Sequence, residues 1–476
     1  MLYKNEKNYR KNYLQSILWI SKNIQLIGLL FFISSMNSCS DFVEVDTPKN
    51  ILVSETVFED ASTVTSALAQ IYFSMREAGM VSGHLGLSTY MGIYSDELDY
   101  FAFDTAVLQF SQSQVIATNR IVKSWWQEGY QIIYASNAII EGLAVSNALS
   151  VEDRNNFMGQ ALFVRAYMHS LLVQVFGDVP YITTTNYLEN NVVGRNSEDE
   201  VYQNIISDLT HAVQLMDVAD QTGERVIPNQ NVGKALLARV YLQTEQWELA
   251  ETITNEVMDS FTLEADLNNV FLKSSPETIW QLIPDGVNNK NTYEANQFII
   301  RGIPGQTYAL SQGLLDAFET DDLRFTNWVA NITSSDGLTT LYYPNKYKAD
   351  FNETTSLEYA IRFRLSEQYL IRAEAKTQLG DYSGALEDVN IIRARAGLGA
   401  LVFSDYDDLL MAIYHERRVE LFTEQGLRWF DIKRLEKATE VLGPLKMDWM
   451  ETRVLLPIPE DEILINPNLK PQNLGY

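Results

Sequence analysis

Gly233-Lys-Ala-Leu-Leu-Ala-Arg-Val-Tyr241, then Glu245-Gln-Trp247, then Glu248 to Met258, reads as helix, turn and helix. Leu237, Ala238, Tyr241 and Ala250 fall at the small-and-aromatic spacing of a tetratricopeptide hairpin. Small residues at 238 and 250 let the paired helices approach closely. The same spacing returns with Ala373 and Ala385, on either side of Gln378-Leu-Gly-Asp-Tyr382. A third copy is split: Phe163 to Phe176 supplies its first helix and Asp199 to Met216 its second, with Gly177 to Ser197 inserted. A repeat that buries its core only by stacking needs about three units. Three are present, beside a less regular N-terminal pair, so the expected fold class is mainly α, a tetratricopeptide-like helical-repeat scaffold.

Outward from the repeats, Val64, Leu68, Ile71 and Tyr72 mark an earlier helix, with Asp60 or Ser62 as its N-cap. Trp125, Tyr130, Ile133, Asn137 and Ile140 mark another. Asn137 sits among apolar neighbours, and a buried amide must find partners, so it reads as a structural clamp. His169 has no second ligand-type residue at metal-binding spacing and reads as a packed or capping residue. Residues 261–358 differ. They are rich in Asn, Thr, Gly, Ser and aromatics, with weak helical periodicity and one short helix expected over Ser311 to Phe318. Loops this long within a compact domain are usually functional or disordered, and their aromatic content speaks for function. No linker or low-complexity tract divides the chain. It reads as one large unit, with an N-terminal helical part over 39–260 and a C-terminal part over 261–476 that carries the irregular insertion at about 261–358.

The N-terminus has the layout of an export signal. Lys4, Lys7, Arg10, Lys11 and Lys22 precede the apolar run Ile24 to Ile33, and Ser34-Ser-Met-Asn-Ser-Cys39 follows it. Cys39 is the only cysteine in 476 residues. Its place just after the apolar run matches a bacterial lipobox, so residues 1–38 read as a lipoprotein signal peptide and Cys39 as the lipidation site. Met36 and Asn37 depart from the usual form of that box. An uncleaved anchor is the competing reading, but Lys22, Asn23 and Gln25 interrupt the span. Beyond residue 38 the chain holds 31 basic and 61 acidic side chains, a formal charge of −30. Such a surface repels phosphate, which makes nucleic acid and anionic membrane poor partners and suits neutral or cationic ligands.

Arg364-Leu-Ser-Glu-Gln-Tyr-Leu-Ile-Arg-Ala-Glu-Ala375, Asn390 to Gly397, Ile413 to Leu421, Gly426 to Arg434, Leu456-Pro-Ile-Pro459 and Asn466 to Tyr476 resemble the C-terminal signature of the SusD/RagB outer-membrane lipoproteins. Upstream, Ser95-Asp-Glu-Leu98, Tyr130 to Asn137, Arg165-Ala-Tyr167, Phe176-Gly-Asp-Val-Pro180 and Glu277-Thr-Ile-Trp280 match in the family's order. The resemblance implies a SusD-like scaffold with a loop-rich ligand-binding face. It also implies cell-surface anchoring in the outer membrane of a Gram-negative bacterium, and a SusC-like TonB-dependent transporter as partner. The ligand would be a glycan or, in the alternative, a peptide.

No phosphate loop, His-Glu-x-x-His, serine elbow or EF-hand loop occurs, so no catalytic residue, metal ligand or cofactor is assigned. With 62 carboxylates many acid pairs arise by chance, and spacing alone does not argue for an exported glycoside hydrolase. The cluster Glu416, Arg417, Arg418 and Glu420 beside Trp429, Asp431 and Arg434 reads as a structural ion-pair network, with pairing along the helix. Arg165, Arg364 and Arg393 read as cross-helix ties. Sugar rings present apolar C–H faces that pack on flat aromatic side chains. Aromatics at helical spacing (Trp125, Trp280, Trp429) are assigned to the core. Tyr90, Tyr100, Phe101, Phe103, Tyr293, Tyr308, Trp328, Tyr342 and Tyr343 remain in loops. Of these, Tyr100, Phe101, Trp328 and Tyr342 are the expected ligand platforms, with Asp99 and Asn327 as polar partners.

Overall fold

Each repeat read in the sequence forms a packed pair of helices in the computed structural model, which describes residues 57–77, 79–286 and 290–476. The signal segment, Cys39 and the tether to Lys49 lie outside the described residues. The longer helices are α1 (Ala61–Glu77), α2 (Leu87–Tyr94), α3 (Arg120–Val145), α4 (Val151–Phe176), α5 (Glu198–Leu215), α6 (Gln230–Gln243), α7 (Trp247–Met258), α8 (Leu365–Gln378), α9 (Tyr382–Arg395), α10 (Tyr406–Leu421) and α11 (Leu427–Arg434). From α3 to α9 each packs on the next, and α10 closes on α8. The pair α4–α5 is the split copy. The pairs α6–α7 and α8–α9 are the regular ones, and Ala238, Ala250, Ala373 and Ala385 are fully buried where the helices meet. The turn of the last pair needs Gly380, whose φ of +86° is costly for any residue with a Cβ.

Local chemistry sets the helix ends. Ser197 and Glu200 form a reciprocal capping box at the start of α5. Asn119, Ser150 and Asn229 cap α3, α4 and α6 with their side chains. From Gly159 to Phe176 α4 is buried on every side, as befits a central helix. Its polar residues are fully engaged. Arg165 makes two hydrogen bonds of 2.7 Å to Asp208 on α5 and one of 2.9 Å to Asn137 on α3. Asn137 in turn donates to the Ile182 carbonyl, so it is the clamp its setting required. His169 Nε2 accepts from the Ile182 amide, so Nδ1 is the nitrogen that donates to the Arg165 carbonyl. Its ring stacks on Tyr181 at 3.9 Å, and burial pushes its pKa down to about 4.

Among the described residues six short strands form three two-stranded antiparallel sheets. They are β1 (Leu98–Tyr100), β2 (Thr278–Leu282), β3 (Tyr308–Leu310), β4 (Val329–Thr333), β5 (Thr340–Pro344) and β6 (Ala360–Arg364). The pairs are β1–β3, β2–β6 and β4–β5, and β3 also lies beside β5. Four of the six strands belong to the irregular region, where runs of three to five residues are too short to show a period. The helix expected over Ser311 to Phe318 is shorter, Gln312–Leu315, capped by Ser311. Trp280 is core as expected but lies on β2, stacked on Phe363 of β6 and edge-on to Phe163 of α4.

In the C-terminal charge cluster Arg434 pairs with Asp431 along α11 at 2.9 Å, but Glu416 and Glu420 pair across elements rather than along their helix. Glu420 binds Arg364 at 2.6 Å, Arg324 at 3.2 Å, and Arg395. Glu416 binds Arg324 at 2.5 Å and Arg393 at 3.3 Å. Glu277, just before β2, binds Arg395 and Arg364. Cross-element pairing joins the irregular region to β6, α9 and α10, which pairs within one helix would not do. A second tie fixes β1. Asp96 receives Arg418 at 2.6 Å and Arg428 at 2.8 Å, and its carbonyl accepts from the Ser311 hydroxyl. Glu97 beside it is buried and accepts from the Thr423 amide.

Two consequences can be measured. Glu420→Gln removes one charge from a cluster that water cannot reach and leaves its guanidinium partners undercompensated. It should cost about 3–5 kcal/mol in denaturant unfolding. For Glu97, burial and then the neighbouring Asp96 push the carboxyl up to about 8, against 4.5 in an unfolded chain. Between those values the folded chain holds a proton that the unfolded chain releases. Stability on this account therefore falls as pH rises from about 4.5, and the loss is complete above about 8. Glu97→Gln should leave Tm unchanged near the lower limit and raise it by several degrees above the upper one.

Candidate functional site

The stretch Leu98 to Asp104 leaves the core as a short exposed ledge. Ser95 to Leu98 anchors it, through Asp96 and Glu97, to α11 and to the end of α10. Pairing with β3 then holds it flat, in the register Asp99 opposite Ala309 and Tyr100 opposite Tyr308. The Phe101 amide extends the pairing to the Thr307 carbonyl at 2.9 Å. Beyond the ledge, Asp104 caps the short helix Thr105–Ser111 and pairs with Arg120 at the start of α3.

Three of the aromatics expected to meet ligand lie on or beside neighbouring strands. Tyr100 is half-buried, its ring 5.7 Å from that of Tyr308, and its hydroxyl accepts from the Asp104 amide at 3.0 Å. Phe101 is 40 % exposed and Phe103 90 %. Tyr342 is half-buried on β5, which flanks β3, so Tyr100, Tyr308 and Tyr342 occupy neighbouring strands. Asp99 is exposed on β1. Burial raises the Tyr308 phenol, with Tyr90 and Tyr100 adding to the shift, so it stays protonated.

Two expected contacts are placed elsewhere. Trp328 is 0 % exposed and is no platform. It ends the short helix Leu323–Trp328, gives its indole N–H to the Leu267 carbonyl at 2.8 Å, and meets Phe271 edge-on. Lys346, Arg364 and Arg395 lie 5.0 to 5.9 Å from its ring centre. The ring is a wall of the buried charge cluster, where cation–π attraction offsets part of the desolvation of those three cations. Asn327 has both ends of its amide engaged, donating to the Leu323 carbonyl and accepting from Asn268. Among the other loop aromatics, Tyr90 lies in the core on α2, and Tyr293 donates to Glu77 at 2.6 Å.

A cleft of about 330 Å³ opens beside the ledge, lined by residues 296–308 other than Phe298 and Ile303. Its polar groups were not singled out in the sequence. Arg301 is partly exposed, paired with Asp350 at 3.0 Å, and its guanidinium lies 4.6 Å from the centre of the exposed Phe351 ring. Gln306 Oε1 is buried without a hydrogen-bond partner. No periodicity marks such residues. The available signal is aromatic and amide residues scattered through a region without helical pattern. Exposed rings next to amides and one guanidinium can stack on a sugar's C–H face and take up its hydroxyls.

Comparison with known proteins agrees with this architecture. A family model described as starch-binding and associating with the outer membrane matches residues 41–242, and the SusD family model matches 288–447. SusD-like protein P2 of Formosa agariphila is 29 % identical over 94 % of this chain and 99 % of its own. The fold is that of a SusD superfamily protein of Bacteroides vulgatus, with a TM-score of 0.77 at 21 % identity, covering 88 % of this chain and all of that one. It also matches a laminarin-binding SusD-like protein, with a TM-score of 0.75 at 21 % identity over 87 % of this chain and 99 % of that one. The two models succeed each other in the order of the sequence motifs, and this chain belongs to the SusD/RagB family.

Proposed function

We propose that this protein captures a neutral glycan on the face formed by β1, β3 and the β4–β5 hairpin. It then passes the glycan, chemically unaltered, to a SusC-like TonB-dependent transporter. The observation that carries the reading is the ledge itself. Phe101 and Phe103 are large and exposed beside a polar cleft, with Phe101 tied to β3 through its amide, an arrangement with no use in a bare scaffold. Membership of a carbohydrate-binding family associated with the outer membrane supports it, as does the laminarin-binding structural neighbour. The formal charge of −26 for the whole chain favours a neutral polymer over a sulfated or uronic one. Trp328 and Asn327 have no part in this site. Asp99, Tyr100, Phe101 and Tyr342 keep their proposed roles, with Arg301 and Gln306 added at the cleft.

Anchoring through an acylated Cys39 completes the proposal. Among the described residues no helix is long and apolar enough to cross a membrane. The lipobox-like run before Cys39 supplies the attachment that a surface-held binding protein needs.

Two experiments test these statements. Tyr100→Ala combined with Phe101→Ala should weaken binding of the best glycan from a neutral panel by about 30-fold, equivalent to about 2 kcal/mol, by isothermal titration. Unchanged affinity moves the site elsewhere, and shortened products after incubation with purified protein overturn the non-catalytic reading. Separately, Cys39→Ala should abolish labelling by an alkyne fatty acid and release the protein from the membrane fraction. Retention in that fraction would favour an uncleaved anchor.

A further inference from the structure

A second cleft, of about 620 Å³, lies between α3, the insertion after α4, and the C-terminal helix Glu460–Ile465. Its volume falls within the range of small-ligand sites. Trp126 and Tyr130 of α3, rings 5.0 Å apart, line its buried side. Tyr134 and Tyr187 stand at its rim, 53 % and 71 % exposed.

The walls are fixed to one another. Tyr130 donates to the Pro180 carbonyl at 2.9 Å, Gln127 to Glu462 at 2.9 Å, and Asn466 to the Val193 carbonyl at 2.8 Å. These bonds join all three segments, so the cleft is preformed. Other polar groups are left over. The side chains of Tyr134, Tyr187, Gln131 and Asn191 make no hydrogen bond among the described residues. No lysine or arginine lines the cleft, and its one carboxylate, Glu462, is held by Gln127. Aromatic rings with unengaged phenols and amides, and no cation, suit a neutral polyhydroxylated ring and offer nothing to an anion.

Position along α3 relates this cleft to the ledge. Arg120, paired with Asp104 one residue after Phe103, begins the helix. Arg120, Lys123, Gln127 and Gln131 follow at spacings of three, four and four, on one side of α3. Trp126 lies about 9 Å along the axis from Arg120, and Tyr134 about 12 Å further. We infer that the cleft around Tyr130, Tyr134 and Tyr187 is a second binding site for neutral oligosaccharide, in line with the first, so that one long glycan engages both. This rests on the glycan-binding reading of the ledge. Two modest sites on one chain would multiply rather than add, because the second contact is made at the effective concentration set by the first.

The test uses isothermal titration with trisaccharides and the corresponding polymers of β-1,3-glucan, β-1,4-glucan, α-1,4-glucan, xylan and mannan. For the sugar that binds, wild type should take two trisaccharides per chain. Tyr134→Ala/Tyr187→Ala should take one, and so should Tyr100→Ala/Phe101→Ala. Each pair should weaken polymer binding at least ten-fold. Gln131→Trp, which fills the cleft from an exposed position, should match the first pair. If both cleft variants keep wild-type stoichiometry and polymer affinity, the second site does not exist while the ledge reading stands. If only the ledge pair is silent, the cleft is the sole site and the ledge reading fails. No binding of any sugar by wild type overturns both.

Discussion

Arg324, Arg364 and Arg395 face Glu277, Glu416 and Glu420 in a cluster that water scarcely reaches. Taking any one of these charges out of water alone would be prohibitive, so each must meet its partners in a narrow geometry. The cluster gains little stability over a well-packed apolar core. What it does is fix position. Five stretches of chain converge on it: the loop before β2, the Leu323–Trp328 helix, the end of β6, α9 and α10. A shift in any of them would leave a buried charge unmatched.

The aromatic face depends on this arrangement. Lys346, two residues beyond β5, gives its ammonium to the carbonyls of Glu420 and Phe422 and to the Glu424 carboxylate. Both strands of the β4–β5 hairpin are thereby fastened to the cluster at its open end, β5 through Lys346 and β4 through Trp328. β1 reaches the same C-terminal segment by a separate route, from Asp96 to Arg418 and Arg428. Two independent ionic ties thus set the distance between the ledge and the hairpin.

Much of this was legible in the residues. Ala238, Ala250, Ala373 and Ala385 announced the paired helices, because close approach of two helices demands small side chains at those spacings. Arg165 and Asn137 were readable as ties because polar residues on apolar faces must be satisfied. Trp328 was not. A six-residue helix leaves no periodicity, so the ring passed for a loop aromatic, and the cations it covers come from positions 346, 364 and 395. The pairing of Glu416 and Glu420 misled for a related reason. Spacing along one helix suggested partners on that helix, while the true partners lie on other elements. Tyr130 reads as a helix residue, and helical spacing alone does not tell an inward face from an outward one.

The ledge also has a history within each molecule. Ser311 grips the Asp96 carbonyl across 215 residues of chain, and Arg428 grips its carboxylate across 332. Contacts of that separation form only after the intervening loop has closed, at an entropic cost that local helical hairpins avoid. The repeats can therefore take shape as the polypeptide emerges, whereas Tyr100 and Phe101 have no surface to stand on until α11 has been made. A chain cut between residues 395 and 428 would keep the repeat helices and lose the ties that fix the proposed ligand face. The proposed ledge is thus completed only after the segment that carries Arg418 and Arg428 has been made.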